Sequence, residues 1–472
     1  MKIYNSETRK VEEFIPNVEG VVNLYTCGPT VYHFAHIGNL RSYIMEDVLE
    51  KALKYLGYNV KRAMNITDVG HLSSDGDVGE DKMLLGAKRE HKSVMDISVE
   101  YTEAFKRDME SLRLKWPEYV VPATSIIGDY IKIISKLIED GYAYYSNGNV
   151  YFDTSKLDKY FRFGNEDADN LAVGVRDTVD EDINKKNRND FVLWFTKSKF
   201  DNQALKWNSP WGVGYPGWHI ECSAIALRTL GEKLDIHCGG VDNRFPHHTN
   251  EIAQTESYTG TKWCNYWFHV EHLITEKGKM SKSSGEFLTL GLLKSKGYSA
   301  DVYKFFCLQS HYRKHLLFSY ANLDSAKNSY NKLMVRIQKL NLDDSLVNQS
   351  DVDKYSQQFA EALENDLNTS LAITTIFDVL KSDLNDKTKI VLLKKFDDVL
   401  DIGIKDLLVE KGSSKKIETE TFPENIINLA ETRLLAKKTK DFTKADEIRD
   451  IIRDEGYEII DTKEGYKLSR LK

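Results

Sequence analysis

Two segments far apart in the chain carry residue types suited to work on a triphosphate. His36-Ile-Gly-Asn39 follows an apolar run, Val21 to Tyr25, that Gly28-Pro29 breaks, and it precedes apolar residues at helical spacing from Leu40 to Leu56. The segment therefore sits where a strand hands over to a helix. A helix N-terminus there offers backbone N–H groups and a positive dipole to phosphate, and Gly38 lets backbone approach a ligand closely. The second segment, Lys279-Met-Ser-Lys-Ser283, places two ammonium groups three residues apart on a Gly-flanked stretch. Lys279 and Lys282 could neutralise charge that develops during attack at an α-phosphate. The thiol of Cys27 shares the first loop, at the C-terminal end of the strand, where open α/β sheets bind ligands. His247 and Glu251, spaced i, i+4 after Pro246, project from one face of a helix.

These groups need a scaffold that brings them together. Asn59 to Met64 reads as a second strand, followed by Asn65-Ile-Thr-Asp68. The loop His71 to Asp81 then leads into a helix whose apolar stripe is Ile97, Tyr101, Phe105, Met109 and Leu112. Strand, helix, strand at this spacing begins a parallel, doubly wound sheet, an α/β fold of the Rossmann-like type. The pattern changes near Trp116-Pro117, and residues 118–209 read as an inserted subdomain with a charged, solvated tract at 177–190. The sheet is expected to resume at about 207–210. A strand from Leu234 runs into Cys238-Gly-Gly-Val-Asp242, a plausible nucleotide-binding turn through Gly239. Phe268 to Thr275 reads as one strand, followed by a basic loop at 276–285. Residues 1–117 and 210–285 would form a split catalytic domain, 286–410 a helical domain, and 411–472 a polar linker with a small C-terminal module.

Composition limits the classes that fit. With 472 residues, 41% hydrophobic and 29% charged, the chain reads as an ordinary multidomain protein with ample core. No apolar run approaches membrane-spanning length and the start has no apolar signal core, so the expected location is cytoplasmic, with no membrane partner. Five widely separated cysteines argue against a disulfide framework. There is no C-x-x-C pair, so any zinc site must be assembled from distant segments. A net charge of −7 argues against non-specific nucleic-acid affinity but permits a local basic face.

The His36–Asn39 and Lys279–Ser283 segments resemble the HIGH and KMSKS signatures of class I aminoacyl-tRNA synthetases, in order and on the right elements. Thr26 to Tyr32, Pro216 to Ser223, Phe245 to Gln254, Tyr266 to His269 and Lys440 to Arg449 are similar to cysteinyl-tRNA synthetases in particular. That resemblance implies activation of L-cysteine by ATP with Mg2+, then transfer to tRNA(Cys), by a protein acting as a monomer. It implies one zinc per chain at Cys27, Cys222, His247 and Glu251, where the substrate thiolate joins as an added ligand. On chemistry alone these types suit zinc, and His248, offset i, i+3 from Glu251, could replace His247. It further implies that His36 and Asn39 contact phosphate and that Lys279 and Lys282 stabilise the transition state. Gly38, Gly239, Asp242 and Lys282 would bind ATP, with Trp218 and Thr67 against the amino acid. Trp218 could equally be a core tryptophan.

Three positions depart from the family pattern. Asn39 stands for the signature's last histidine, Tyr215 for an arginine, and Leu468 for an aromatic near the C-terminus. Two other classes stay open: a cysteine-activating ligase with an amino-sugar acceptor, and a non-catalytic zinc protein that binds RNA.

Overall fold

The computed structural model describes residues 1–69, 82–164, 183–197, 205–275, 278–279, 287–341, 345–414, 423–438, 441–462 and 465–471. They fall into two units, Met1–Lys405 and Asp406–Lys472.

The first unit is organised on five strands in the order Cys264–Val270, Leu234–Gly240, Val21–Thr26, Asn59–Ile66, Tyr119–Pro122. All four pairings are parallel. From Val21–Thr26 the chain winds outward through Asn59–Ile66 and Tyr119–Pro122. It later returns to the other side of Val21–Thr26 with Leu234–Gly240 and Cys264–Val270. The winding direction thus switches between Val21–Thr26 and Leu234–Gly240, and a doubly wound sheet opens a crevice there at the strand ends. The central strands are largely buried on both faces, as in a parallel sheet covered by helices, so that even Asp235 and His237 are buried. Helices Ile37–Tyr55, Trp218–Leu230 and His247–Thr259 flank the crevice.

The sheet and the insertion do not divide where the sequence suggests. Tyr119–Pro122 lies past the expected boundary at 117, yet it is the edge strand of the parallel sheet, bonded to Asn59–Ile66. Its four residues end in a proline, which an edge position tolerates and which in the sequence reads as a break. A separate antiparallel sheet joins Ala143–Ser146, Asn149–Phe152, Phe191–Phe195 and Tyr215–Pro216. Residues 210–216 therefore belong with this second sheet rather than with the catalytic one, and the parallel fold resumes at helix Trp218–Leu230.

The expected strand Phe268 to Thr275 is two strands in two sheets. Cys264–Val270 ends the parallel sheet, and Leu273–Thr275 joins a three-stranded sheet with Gly278–Lys279 and Leu316–Phe318. The latter strand interrupts a region that otherwise reads as helical, and indeed helices Ala300–Leu308, Tyr320–Gln338, Gln349–Glu364, Thr369–Lys381 and Asp386–Leu400 account for most of the rest.

In the second unit, helices Glu424–Lys438 and Phe442–Asp454 cover a hairpin of Tyr457–Thr462 and Gly465–Arg470. Ala430, Ile448, Ile452 and Ile459 form its small core, with Leu468 packed against it. Helix Ile404–Ser414 runs through the start of the expected linker, and 415–422 lie outside the described residues. No helix among the described residues is long and apolar enough to cross a membrane.

Candidate active site and metal cluster

A cavity of about 330 Å³ opens at the switch point, and the His36–Asn39 turn lines it together with residues from around Cys27 and Cys222. Cys27, Thr67, Trp218, Cys222, Gly239 and His247 contribute to its wall, and so do His36, Gly38, Asn39 and Asp242. The sequence-derived candidates thus meet at one place, apart from the two lysines and Glu251. Lys279 is placed by its backbone, in the two-residue strand paired with Ile274 and Thr275. Lys282 lies outside the described residues, as does the loop His71 to Asp81.

The His36 turn differs from an open phosphate cradle. His36 is the N-cap of helix Ile37–Tyr55, and its Nδ1 accepts from Asn39 N–H at 3.2 Å. Ile37 N–H donates to the Leu288 carbonyl at 2.9 Å. Two of the first-turn donors are thereby engaged, leaving Gly38 N–H without a partner among the described residues. A Cβ at Gly38 would stand 2.9 Å from the His36 ring, so glycine here spares the capping histidine.

Beneath the cavity, ligand atoms of Cys27, Cys222, His247 and Glu251 all lie within 4.8 Å of one another. Cys27 comes from the turn after Val21–Thr26, Cys222 from the second turn of Trp218–Leu230, and the other two from His247–Thr259. The i, i+4 spacing places both on one helical face, with His247 Nε2 and Glu251 Oε1 2.9 Å apart. Glu251 Oε1 nevertheless has no aligned hydrogen-bond donor. Cys222 Sγ is 3.5 Å from His247 Nε2. Ligand atoms this close, brought from three separate segments, converge on a common point as metal ligands do, and the donor set of two sulfurs, a nitrogen and a carboxylate oxygen suits zinc.

A second grouping, Cys27, His237, His248 and Glu251, meets the same distance limit. His248 Nε2 is 3.3 Å from Cys27 Sγ and its Nδ1 is 2.8 Å from His269 Nε2, while His237 Nε2 is 2.8 Å from Glu251 Oε2. The two sets share Cys27 and Glu251 and exclude one another. They differ in access: Cys222 and His247 line the cavity, whereas His237 and His248 do not.

The electrostatics follow from burial opposed by close partners. Burial disfavours the His247 imidazolium, but Glu251 and Cys222 outweigh it and raise its pKa to about 10. Burial likewise opposes charge on Glu251, yet His237 and His247 hold its carboxyl below the ordinary value. Of the thiols, Cys27 is pushed up, first by its hydrogen bond with Cys222 and then by burial. Burial drives His248 well below its usual value, so it is neutral.

Several participants escape the sequence reading. Asn65 is a hub: its Oδ1 accepts from Gly28 N–H at 2.6 Å and Tyr25 O–H at 3.2 Å, and its Nδ2 donates to Thr67 Oγ1 at 2.9 Å. Thr67 Oγ1 in turn donates to Glu221 at 2.8 Å. A Cβ on Gly28 would fall 1.6 Å from the Asn65 carbonyl, so that crossing admits only glycine. The signal available in the sequence was Asn65-Ile-Thr-Asp68 at the end of a parallel strand. Trp218 lines the cavity and its ring lies against His247, tilted by 31° with centroids 4.3 Å apart.

The model of the tRNA synthetases class I (C) catalytic domain matches residues 13–328. The cysteine–tRNA ligase of Treponema denticola is 44% identical over 482 residues, covering 97% of this chain and 96% of that protein. The chain belongs to the cysteine–tRNA ligase family. The corresponding protein of Borrelia hermsii is 42% identical over 483 residues, spanning 100% of this chain and 99% of its own length. In fold, the chain is similar to Mycobacterium tuberculosis methionyl-tRNA synthetase bound by methionyl-adenylate, with a TM-score of 0.56 at 14% identity, over 82% of this chain and 93% of that one. Family membership accounts for the parallel sheet and for the order of the two signatures along the chain.

Proposed function

We propose that this chain activates L-cysteine with ATP to cysteinyl-adenylate and pyrophosphate, then passes the cysteinyl group to the terminal ribose of tRNA(Cys), in the cytoplasm and as a monomer. The observation that carries the reading is the junction of a two-thiol cluster with the His36 turn in one cavity at the switch point. A thiol-selecting site and a phosphate site share a wall. The match to cysteine–tRNA ligases also runs through the tail, which a ligase acting on an amino sugar would not need.

Zinc held by Cys27, Cys222, His247 and Glu251 would supply a soft Lewis acid that prefers a thiolate to a hydroxyl. This set is favoured over the one with His237 and His248 because its thiol and imidazole from Cys222 and His247 reach the cavity. Trp218 and Thr67 would bound the amino-acid side chain. Gly38 N–H, His36 and Asn39 would meet the phosphates, with Gly239 and Asp242 on the adenosine side and Mg2+ accompanying ATP. Lys279 and Lys282 would stabilise the charge that builds up as the carboxylate attacks the α-phosphate.

Asn65 would orient the turn that carries Cys27 without touching metal. Asn65→Ala should weaken metal binding about 10–100-fold, the usual cost of losing a partner that orients a ligand. Competition with a chromogenic chelator measures this, and parental affinity would remove Asn65 from that role.

The module Asp406–Lys472 is read as the part that recognises the tRNA. A chain ending at Ser414 should keep cysteine-dependent pyrophosphate exchange, since every candidate for adenylation precedes position 283. Its charging of tRNA should fall roughly tenfold or more, the loss expected if the module contributes at least about 1.4 kcal/mol of binding. Unchanged charging would show that the module does not read tRNA. Charging of total tRNA with labelled cysteine tests the whole proposal, and absence of labelled tRNA with intact pyrophosphate exchange would favour another acceptor.

A further inference from the structure

Arg41 lies two residues beyond the His36–Asn39 segment, in helix Ile37–Tyr55, and is fully buried. Among the described residues it makes no ion pair. Instead its guanidinium holds four backbone carbonyls from two separate segments. Nη1 donates to Glu271 O at 2.7 Å and His272 O at 2.9 Å, and Nη2 donates to His311 O at 3.3 Å and Lys314 O at 2.7 Å. A buried cation with no carboxylate is costly, and only a planar fork of donors can serve four oxygens at once.

The two grasped segments root the same small sheet. Glu271-His272 is the link between Cys264–Val270 and Leu273–Thr275, and 311–314 leads into Leu316–Phe318. Leu273–Thr275 pairs with Leu316–Phe318 on one side and with Gly278–Lys279 on the other, setting Lys279 opposite Ile274. The same helix holds a third point on this side of the molecule. Ile37 N–H donates to Leu288 O at 2.9 Å, and Tyr303 O–H donates to Ile37 O at 2.6 Å. The backbone of Lys279 is therefore located relative to His36 through Arg41 and one strand pairing.

We infer that Arg41 is a positioning residue for amino-acid activation, fixing the strand that carries Lys279 against the His36 turn. It touches neither substrate nor cluster. The inference rests on the reading of Lys279 as a group that acts on the transition state. Because misplacement by about 1 Å can cost on the order of 10²-fold in rate, loosening the clamp should act on turnover. The thiol side of the cavity stands on other elements and should be left as it is.

The test compares Arg41→Lys, which keeps charge without the fork, and Arg41→Met, which removes the buried cation, in the full chain. Rates of pyrophosphate exchange are referred to competent sites counted by the burst of cysteinyl-adenylate, so that misfolded protein does not enter. The expected result is a fall in kcat of roughly 10–100-fold. The KM for cysteine should stay within about twofold of the parent, as expected when uniform substrate binding is untouched, and metal content should be unchanged. Lys279→Ala serves as the reference. Parental kcat per site in both Arg41 variants, with Lys279→Ala impaired, would reduce Arg41 to packing and overturn the inference. A rise in the KM for cysteine at parental kcat, or no competent sites in either variant, would overturn it as well. Parental kcat in Lys279→Ala would instead defeat the underlying reading of Lys279.

Discussion

Cys222→Ser should lose bound zinc and cysteine activation together. Cys222 is buried at the cavity wall, 3.5 Å from His247 Nε2, and the oxygen that replaces its sulfur is a hard, weakly acidic donor. A serine here would leave Cys27 as the one thiol of the set beside His247 and Glu251. Loss of a Lewis acid worth several kcal/mol corresponds to roughly a thousandfold or more in the rate of adenylate formation. Because serine and cysteine are nearly the same size, the fold should survive, and thermal unfolding separates this outcome from collapse of the core. Metal analysis by mass spectrometry alongside pyrophosphate exchange reads both effects. Full metal content with lost activity would mean that His237 and His248, not Cys222 and His247, complete the ligand set.

Replacing Lys279 and Lys282 together by Ala should leave metal content intact and cut adenylate formation severely. Removal of one preorganised donor from a site of developing charge typically costs about 10²–10³-fold, and on the proposed reading both ammonium groups would serve the same phosphate. The KM for cysteine should hardly change, since neither lysine stands near the cluster residues in sequence and interactions made only in the transition state alter kcat. Equal pyrophosphate exchange in variant and parent would remove both lysines from the chemistry. Single variants should each fall short of the double, and strong non-additivity would indicate that they act as a unit.

How much of this was legible in the sequence depends on the range of the interaction. Local signals served well: the apolar run of Val21–Thr26, the helical stripe from Leu40, and the i, i+4 offset that brings His247 and Glu251 to one face. Each depends on residues within one or two turns, where periodicity is a direct consequence of backbone geometry. The assembly of Cys27 beside Cys222 is not local. It depends on helix Trp218–Leu230 packing its buried face against the parallel sheet, which no spacing encodes, and in the sequence it rested on family resemblance.

Other features carried a signal that pointed elsewhere. Tyr119–Pro122 is too short and too proline-bounded to read as a sheet edge, so the catalytic fold extends further than its expected limit. The break at Glu271-His272 is not read from the sequence because both sides are strands and two polar residues also fit within one continuous strand. At that break Arg41 bonds the Glu271 and His272 carbonyls, contacts across 230 and 231 positions of sequence that no local pattern announces. His36 was read as presenting backbone donors to a ligand, but its own ring takes one of them, a local side-chain bond that competes for an N-terminal N–H. Asn65 shows no role in the sequence, since an asparagine's four hydrogen-bonding positions acquire meaning only from the neighbours that the fold supplies.

The account turns on how a thiol is told from a hydroxyl. An apolar pocket separates substrates that differ by so little only about 10–200-fold. A soft metal donor set opening on the cavity offers far more, because a thiol deprotonates near neutrality and binds zinc as thiolate. The decisive measurement is pyrophosphate exchange with cysteine and with serine, each at saturating concentration, before and after removal of the metal by a chelator and again after zinc is restored. The predicted result is a cysteine-to-serine ratio far above that range in the zinc-loaded protein, loss of cysteine activation on removal, and recovery of both on restoration. A metal-free preparation that still activates cysteine with its preference over serine unchanged would contradict the account and leave the cluster a structural element.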